Sequence, residues 1–313
     1  MTEQKRNLLM PTLAIIALSL LWGSAFTIVK NALDYYHVFW VTFIRLALAA
    51  AMFGLFWNKI RRVKVLKSDI PILAVMVLCE PCLFFSFEAY ALVYTTASQA
   101  GMIVALNPVL MAAVALVFLR ERPSPQALLG FAVAVVGVLV LSHNSEVTES
   151  APNPVLGNIL EILSLSMGAI FLVCIKRLKG LYPAIFIAAL QTSLGSVFFL
   201  GMLFMPGVPV PEAWPLAPTL SVVFMGVIGT FTGFMLYNYG LRNLPATRTA
   251  GLLNLVPVFA VASGVLFLGE QLTPIQWGAC AMVILGVIVS QRPPREKKKA
   301  AEIKIGDPQT CKG

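Results

Sequence analysis

The chain has 313 residues, of which 58% are hydrophobic and 12% charged, with a formal net charge of +9. Soluble domains carry about 25% charged residues, so a chain with a mean hydropathy of +0.85 cannot clothe a water-facing surface, and a soluble globule is excluded. The basic excess sits in short clusters between apolar segments, which argues against a nucleic-acid partner and fits orientation in a bilayer.

Apolar runs of the roughly 20 residues that a membrane span needs predict helices over 9–29, 36–56, 71–92, 99–119 and 125–142. A second set follows over 155–175, 183–204, 219–240, 249–268 and 274–290. The first run, Leu8 to Val29, is too long for a cleavable signal peptide and reads as a retained span. No segment alternates apolar with polar residues as a barrel strand does. The expected fold is therefore an all-α polytopic membrane protein of ten transmembrane helices. With the N-terminus inside, 21 of the 23 Lys and Arg fall in inside segments; Lys30 lies outside and Arg45 within a span. The positive-inside rule then puts both termini in the cytoplasm of a multi-pass plasma-membrane protein, expected to be a bacterial inner-membrane protein.

Shifting the chain against itself by 149 residues aligns Tyr90 with Tyr239, Ala97 with Ala246, and Pro108 with Pro257. The same shift aligns Glu121 with Glu270, Pro125 with Pro274 and Gly137 with Gly286. Such a repeat contains an odd number of helices, so its copies enter the membrane in opposite directions, the architecture of alternating-access carriers. The expected domains are a first five-helix repeat over 1–142, an outside linker over 143–154, a second repeat over 155–291 and a basic cytoplasmic tail over 292–313.

Leu21-Trp22-Gly23-Ser24-Ala25-Phe26 and Phe43-Ile44-Arg45-Leu46-Ala47 resemble motifs of the EamA family of the drug/metabolite transporter superfamily. So do the stretches from Ala91-Leu92 through Arg120-Glu121-Arg122 and from Leu255-Val256-Pro257 through Leu268-Gly269-Glu270-Gln271-Leu272. The resemblance spans nearly the whole chain and both repeats. It implies a ten-helix, two-repeat carrier of small metabolites, often an exporter of amino acids or related compounds, and leaves the substrate unspecified.

Ionisable residues inside spans are costly, at about 2.5–3.5 kcal/mol each on insertion scales, which singles out Arg45, Glu80, Glu88 and Glu161. On a regular helix Glu80, Phe84, Phe87 and Glu88 share one face, giving two carboxylates about 12 Å apart with aromatic rings between. That stripe suits a cationic or amphipathic solute; the alternative is that Glu80 and Glu88, near opposite membrane faces, are simply solvated. Glu161 is a candidate ligand or an interhelical hydrogen-bonding residue. Arg45 is a candidate for a structural or gating ion pair. Trp22, Ser24, Gln99, Tyr237 and Asn254 supplement the candidate cavity, and Tyr237 is the repeat counterpart of Glu88. Pro108 and Pro257, also repeat counterparts, predict symmetric kinks that serve either as hinges or as static curvature.

Cys79, Cys82, Cys174 and Cys280 lie in apolar runs and Cys311 in the tail, so no disulfide framework is expected. The Cys79-x-x-Cys82 pair lacks the further ligands zinc needs, and no Walker-type phosphate loop occurs. Neither a cofactor nor a metal nor a catalytic group is expected. The expected partners are a small-molecule substrate, membrane lipid and a proton as counter-ion, with the chain a monomer or homodimer. The competing function is a membrane-embedded enzyme acting on a lipid or isoprenoid; a passive channel has no need of an inverted repeat. The topology is testable in intact cells with a membrane-impermeant thiol reagent. Glu146→Cys is expected to label from outside and Arg62→Cys to stay unlabelled, and the reverse pattern would reject the orientation.

Overall fold

The computed structural model describes residues 3–120, 123–178 and 180–291. Glu121, Arg122, Lys179, Cys311 and the whole tail from Arg292, on which part of the basic-residue count and one repeat pair rest, lie outside the described residues. Among the described residues the regular elements are helices, the one β feature being an isolated bridge between Thr148 and Ala151. In chain order they are α1 (Glu3–Leu33), α2 (Val38–Gly54), α3 (Lys67–Tyr94), α4 (Ala97–Phe118) and α5 (Pro125–His143). Then come α6 (Pro154–Arg177), α7 (Ala184–Met202), α8 (Leu216–Asn243), α9 (Ala246–Leu253 and Leu255–Leu268) and α10 (Pro274–Ser290). Eight of these are long and apolar enough to cross a membrane; α2 and α10 are shorter apolar helices of 17 residues each. His143, expected in a loop, forms the last turn of α5.

The helix boundaries follow from local chemistry. Ser124 and Thr273 cap α5 and α10, each followed by a proline whose missing N–H costs nothing in the first turn. At the opposite ends of the preceding helices, Arg120 and Gly269 adopt left-handed caps with φ of 57° and 66°. These are counterpart positions under the 149-residue shift. The conformation suits Gly269 and is uncommon for an arginine.

Two helices depart from the regular pattern. In α3 the helix is broken at Glu80, whose backbone is extended at φ −138°, ψ 116°. In α8 the segment Met225–Thr232 widens into π-helical turns. The register between Glu80 and Phe84 is therefore not that of a straight α-helix, yet both still reach α6 at Gly168, where a Cβ would lie 3.4 Å from the Phe84 ring and 3.9 Å from Glu80 Oε2. Pro81, which lacks an N–H, is the local cause. The α4 and α9 helices are also interrupted at counterpart places, by a tight turn at Val104–Leu106 and by a break at Asn254, each just before Pro108 and Pro257.

The helices pack with apolar side chains both inward and outward, as a lipid-solvated bundle must. α1 packs on α8 and α9, α6 packs on α3 and α4, and α2 with α7 and α5 with α10 form further pairs. α4 and α9 meet through Ala97–Ile103 and Leu255–Leu268. Beyond their kinks they part: Asn107–Leu119 of α4 follows α6, while Ala246–Leu253 of α9 follows α1. The bundle is thus joined at the end expected outside and splayed at the end expected inside.

The α5–α10 contact depends on glycine. A Cβ on Gly286 would stand 2.6 Å from the Ala134 nitrogen and 2.7 Å from the Gly130 oxygen, both rigid backbone atoms. Gly278 of the same helix has open space around it. Gly286→Leu is expected to lower stability by roughly 1–3 kcal/mol, read as a reduced melting temperature in detergent, with Gly278→Leu unchanged. Equal melting temperatures would reject close packing at this seam.

Candidate functional site

The centre of the bundle holds a charge cluster built from four helices. Arg45 of α2 approaches α8 closely because Gly226 has no side chain: a Cβ there would lie 2.9 Å from the Arg45 carbonyl oxygen. The Arg45 Nε donates to Thr230 Oγ1 at 2.8 Å, within the widened turn of α8. Its guanidinium lies over the Phe85 ring at 4.4 Å, and Nη1 is 3.6 Å from Glu88 Oε2. Phe85 and Glu88 are three residues apart on α3, so one helical face supplies both an aromatic and an anionic partner.

Glu88 stands within electrostatic reach of two more carboxylates, Glu80 of α3 and Glu161 of α6. The Glu80 side chain points toward α6 at Gly168, and its backbone carbonyl accepts from Gln191 Nε2 of α7 at 3.1 Å. Glu161 is fully buried, and neither oxygen has a hydrogen-bond partner among the described residues. Glu88 is the carboxylate that pairs with the guanidinium, and Glu80 and Glu161 are two further buried carboxyl groups near Glu88 with no ion pair among the described residues.

Aromatic residues lie near the cluster. Trp22 of α1 and Tyr237 of α8 lie 5.8 Å apart between ring centroids, and Tyr237 is within reach of the Glu80 charge. Phe84 packs edge-on against Phe85 at 5.2 Å, and its carbonyl accepts from Ser164 Oγ at 3.0 Å. Phe87 is half-buried on the same helix.

Three sequence candidates are engaged elsewhere. The Ser24 hydroxyl donates to the Leu20 carbonyl of its own helix at 2.8 Å. Asn254 exchanges amide hydrogen bonds with Gln291, 3.1 and 3.3 Å, where α9 meets the end of α10. Gln99 is buried in a polar network, its Oε1 accepting from Thr95, Ser145 and Asn158 at 3.2, 2.7 and 3.2 Å. That network belongs to the joined end of the bundle, where sequence reasoning also missed two residues. Lys30 donates through Nζ to the carbonyls of Leu92, Thr95 and Ser150, each at 2.7 Å. Glu270 accepts from the backbone N–H groups of Ala97 and Ser98 at 2.7 and 2.8 Å. Thr230, the Arg45 partner, was equally hidden, since a threonine in an apolar run carries no signal of its own. Lys30 did carry one: it was the lone cation assigned to the outside.

A bundle of long apolar helices folded around buried opposite charges defines a multi-pass membrane protein. The sequence model of the EamA-like transporter family matches residues 9–143 and again residues 155–291, and the chain belongs to that family. It is 26% identical to an uncharacterized transporter of Archaeoglobus fulgidus over 87% of this chain and 95% of that protein. It is 25% identical to a probable terminal-alkyne amino-acid exporter of Streptantibioticus cattleyicolor, over 92% of this chain and 95% of the relative. A solved crystal structure shares the fold with a TM-score of 0.60 at 18% identity, covering 95% of this chain and 99% of the other.

The ion pair yields an asymmetric expectation. A guanidinium stays charged, whereas a carboxyl group left alone can neutralise itself by taking a proton. Glu88→Leu, which strands Arg45, is expected to cost about 3–5 kcal/mol, seen as a lower melting temperature. Arg45→Leu is expected to cost less, and the double variant to regain part of the loss. Additive effects of the two substitutions would reject the pairing.

Proposed function

We propose that this transporter is a secondary carrier that exports a small amino-acid-like metabolite by alternating access. Its ten helices span the membrane as two inverted five-helix repeats, 1–142 and 155–291, with the N- and C-termini cytoplasmic in a bacterial inner membrane. The observation that carries the reading is the cluster of Glu80, Glu88, Glu161 and Arg45 with Trp22 and Tyr237, contributed by both halves where α3 breaks and α8 widens. Support for the repeats comes from the double family match and from packing that keeps its pattern when the halves are exchanged: α1 on α8 and α9, α6 on α3 and α4. At 17 residues, α2 and α10 reach the lower bound of a span.

In this reading an ammonium-bearing solute is bound by the carboxylates and by the faces of Phe84, Phe87, Trp22 and Tyr237. The amino-acid class is supported by the name of the Streptantibioticus cattleyicolor relative. Export against a gradient draws on protons, with Glu88 or Glu80 as the titrating group. One charge moving through the membrane potential supplies about 2.3 kcal/mol per 100 mV, equivalent to roughly a fifty-fold concentration ratio.

Counterflow of labelled amino acids, amines and nucleosides in proteoliposomes tests the carrier assignment, and no flux of any class would reject it. Phe84→Ala and Phe87→Ala are expected to cut flux while leaving insertion intact. An imposed pH gradient is expected to accelerate wild-type flux, and Glu88→Gln or Glu80→Gln to lose that response. Flux indifferent to the gradient, or an unchanged response in both variants, would reject proton coupling through these residues.

A further inference from the structure

We infer that Lys30 and Glu270 are the outer gate of the carrier: together they hold the α3–α4 turn shut, and they pair with each other when the turn moves away. The inference rests on the alternating-access reading above and adds two residues that the central cluster does not contain.

The turn joins the C-terminus of α3 to the N-terminus of α4. Helix C-termini leave carbonyls without partners and carry partial negative charge; N-termini leave N–H groups and carry partial positive charge. Both ends meet within Leu92–Ser98, and each is met by a side chain of the opposite sign. The Lys30 ammonium spends its three protons on the carbonyls of Leu92 and Thr95, at the end of α3, and of Ser150 in the α5–α6 connection. The Glu270 carboxylate spreads over the N–H groups of Ala97 and Ser98, at the start of α4, one oxygen to each. Lys30 is 8% exposed, so its bonds are shielded from competing water. Gly264 makes room for the second grip: a Cβ there would fall 2.5 Å from Glu270 Oε2 and 2.4 Å from Ser98 Oγ.

The two gripping residues sit on one side of a seam and the gripped turn on the other. Lys30 is on α1, which packs along α9, and Glu270 follows directly after α9. The turn joins α3, which packs on α6, to Ala97–Ile103 of α4, which packs on α9 with Gly101 against Ala260. Opening this end means parting Ala97–Ile103 from α9, which breaks five charge-assisted bonds together with that apolar contact. It also leaves an ammonium and a carboxylate on the same side of the gap. Glu270 already acts electrostatically on Lys30, as does Asp34 to a lesser degree. Pairing with each other gives both freed charges a partner and keeps the open state accessible.

Beneath the grip, Thr27 of α1 and Ser263 of α9 share a buried hydrogen bond of 2.8 Å, and Ser263 is 5% exposed. A cysteine at 263 therefore reports on opening from outside, against native Cys79, Cys82, Cys174 and Cys280, which are buried. In the Ser263→Cys protein, Lys30→Gln and Glu270→Gln are each expected to raise the labelling rate by an impermeant thiol reagent about ten-fold or more. Unchanged rates in both would overturn the gate. Pairing in the open state is read from charge reversal. Lys30→Glu and Glu270→Lys singly serve neither state and are expected to lower the melting temperature. The double reversal restores only the mutual pair, so it is expected to be more stable than either single variant and to label fastest of all. A double variant no more stable than the singles would overturn the pairing. Labelling reports the gate independently of any substrate, and wild-type counterflow reports transport independently of the gate, so failure of one is distinguishable from failure of the other.

Discussion

The interaction on which this structure turns is the accommodation of the Arg45 guanidinium inside an apolar bundle. Arginine does not lose its charge in proteins, and an isolated charge in a low-dielectric interior is expensive. Its solvation must therefore be rebuilt from protein groups. Glu88 supplies countercharge, Phe85 a π-face and Thr230 a hydroxyl acceptor. These come from two helices besides Arg45's own, so the demand of one side chain fixes α2, α3 and α8 relative to one another. The remaining carboxylates, Glu80 and Glu161, are not needed for that purpose. They are the groups that the proposed function assigns to a ligand.

The break in α3 and the widened turn of α8 belong to the same logic. Each changes the hydrogen-bond register and re-aims side chains. In α3 the break falls at Glu80, whose carbonyl finds a partner in Gln191 of α7. In α8 the widening delivers Thr230 to Arg45. The central cluster is therefore assembled where backbone regularity is given up on both sides, and the neighbouring helices satisfy what that releases.

Much of this was legible in the sequence, and the limits have physical causes. Apolar run length placed every long helix, because the bilayer fixes the length a span must have. Charge in an apolar run identified Arg45, Glu80, Glu88 and Glu161, because desolvation makes such residues rare. Ser24, Gln99 and Asn254 could not be ranked the same way: a polar uncharged side chain is as easily satisfied by its own helix, as in Ser24, as by a neighbour. The face argument for Glu80 and Phe84 presumed a regular helix; the break beside Pro81 changes the backbone path, while both side chains still meet α6 at Gly168. Thr230 escaped notice because the need it meets belongs to Arg45, far away in the chain. Glu270 was visible as a repeat position, yet its role requires knowing which helix end lies opposite.

The contacts of the bundle fall into two physical kinds, and the difference bears on which of them can move. Along α5 and α10 the helices touch backbone to backbone across Gly130, Gly137 and Gly286. Separating such a seam loses dispersion contacts that lipid does not restore in the same geometry. At the joined end of α4 and α9 a shorter seam of the same kind, Gly101 against Ala260, is bordered by side-chain grips on main-chain groups, Lys30 on carbonyls and Glu270 on N–H groups. Water can replace every one of those bonds as it enters, because a freed N–H, carbonyl, ammonium or carboxylate hydrates well. A polar closure therefore costs little net free energy to exchange for a wet opening, while a glycine seam does not. In the proposed carrier the moving boundary is expected to be the α4–α9 contact, where the seam is short and edged by polar grips, with the longer α5–α10 seam as its fixed frame.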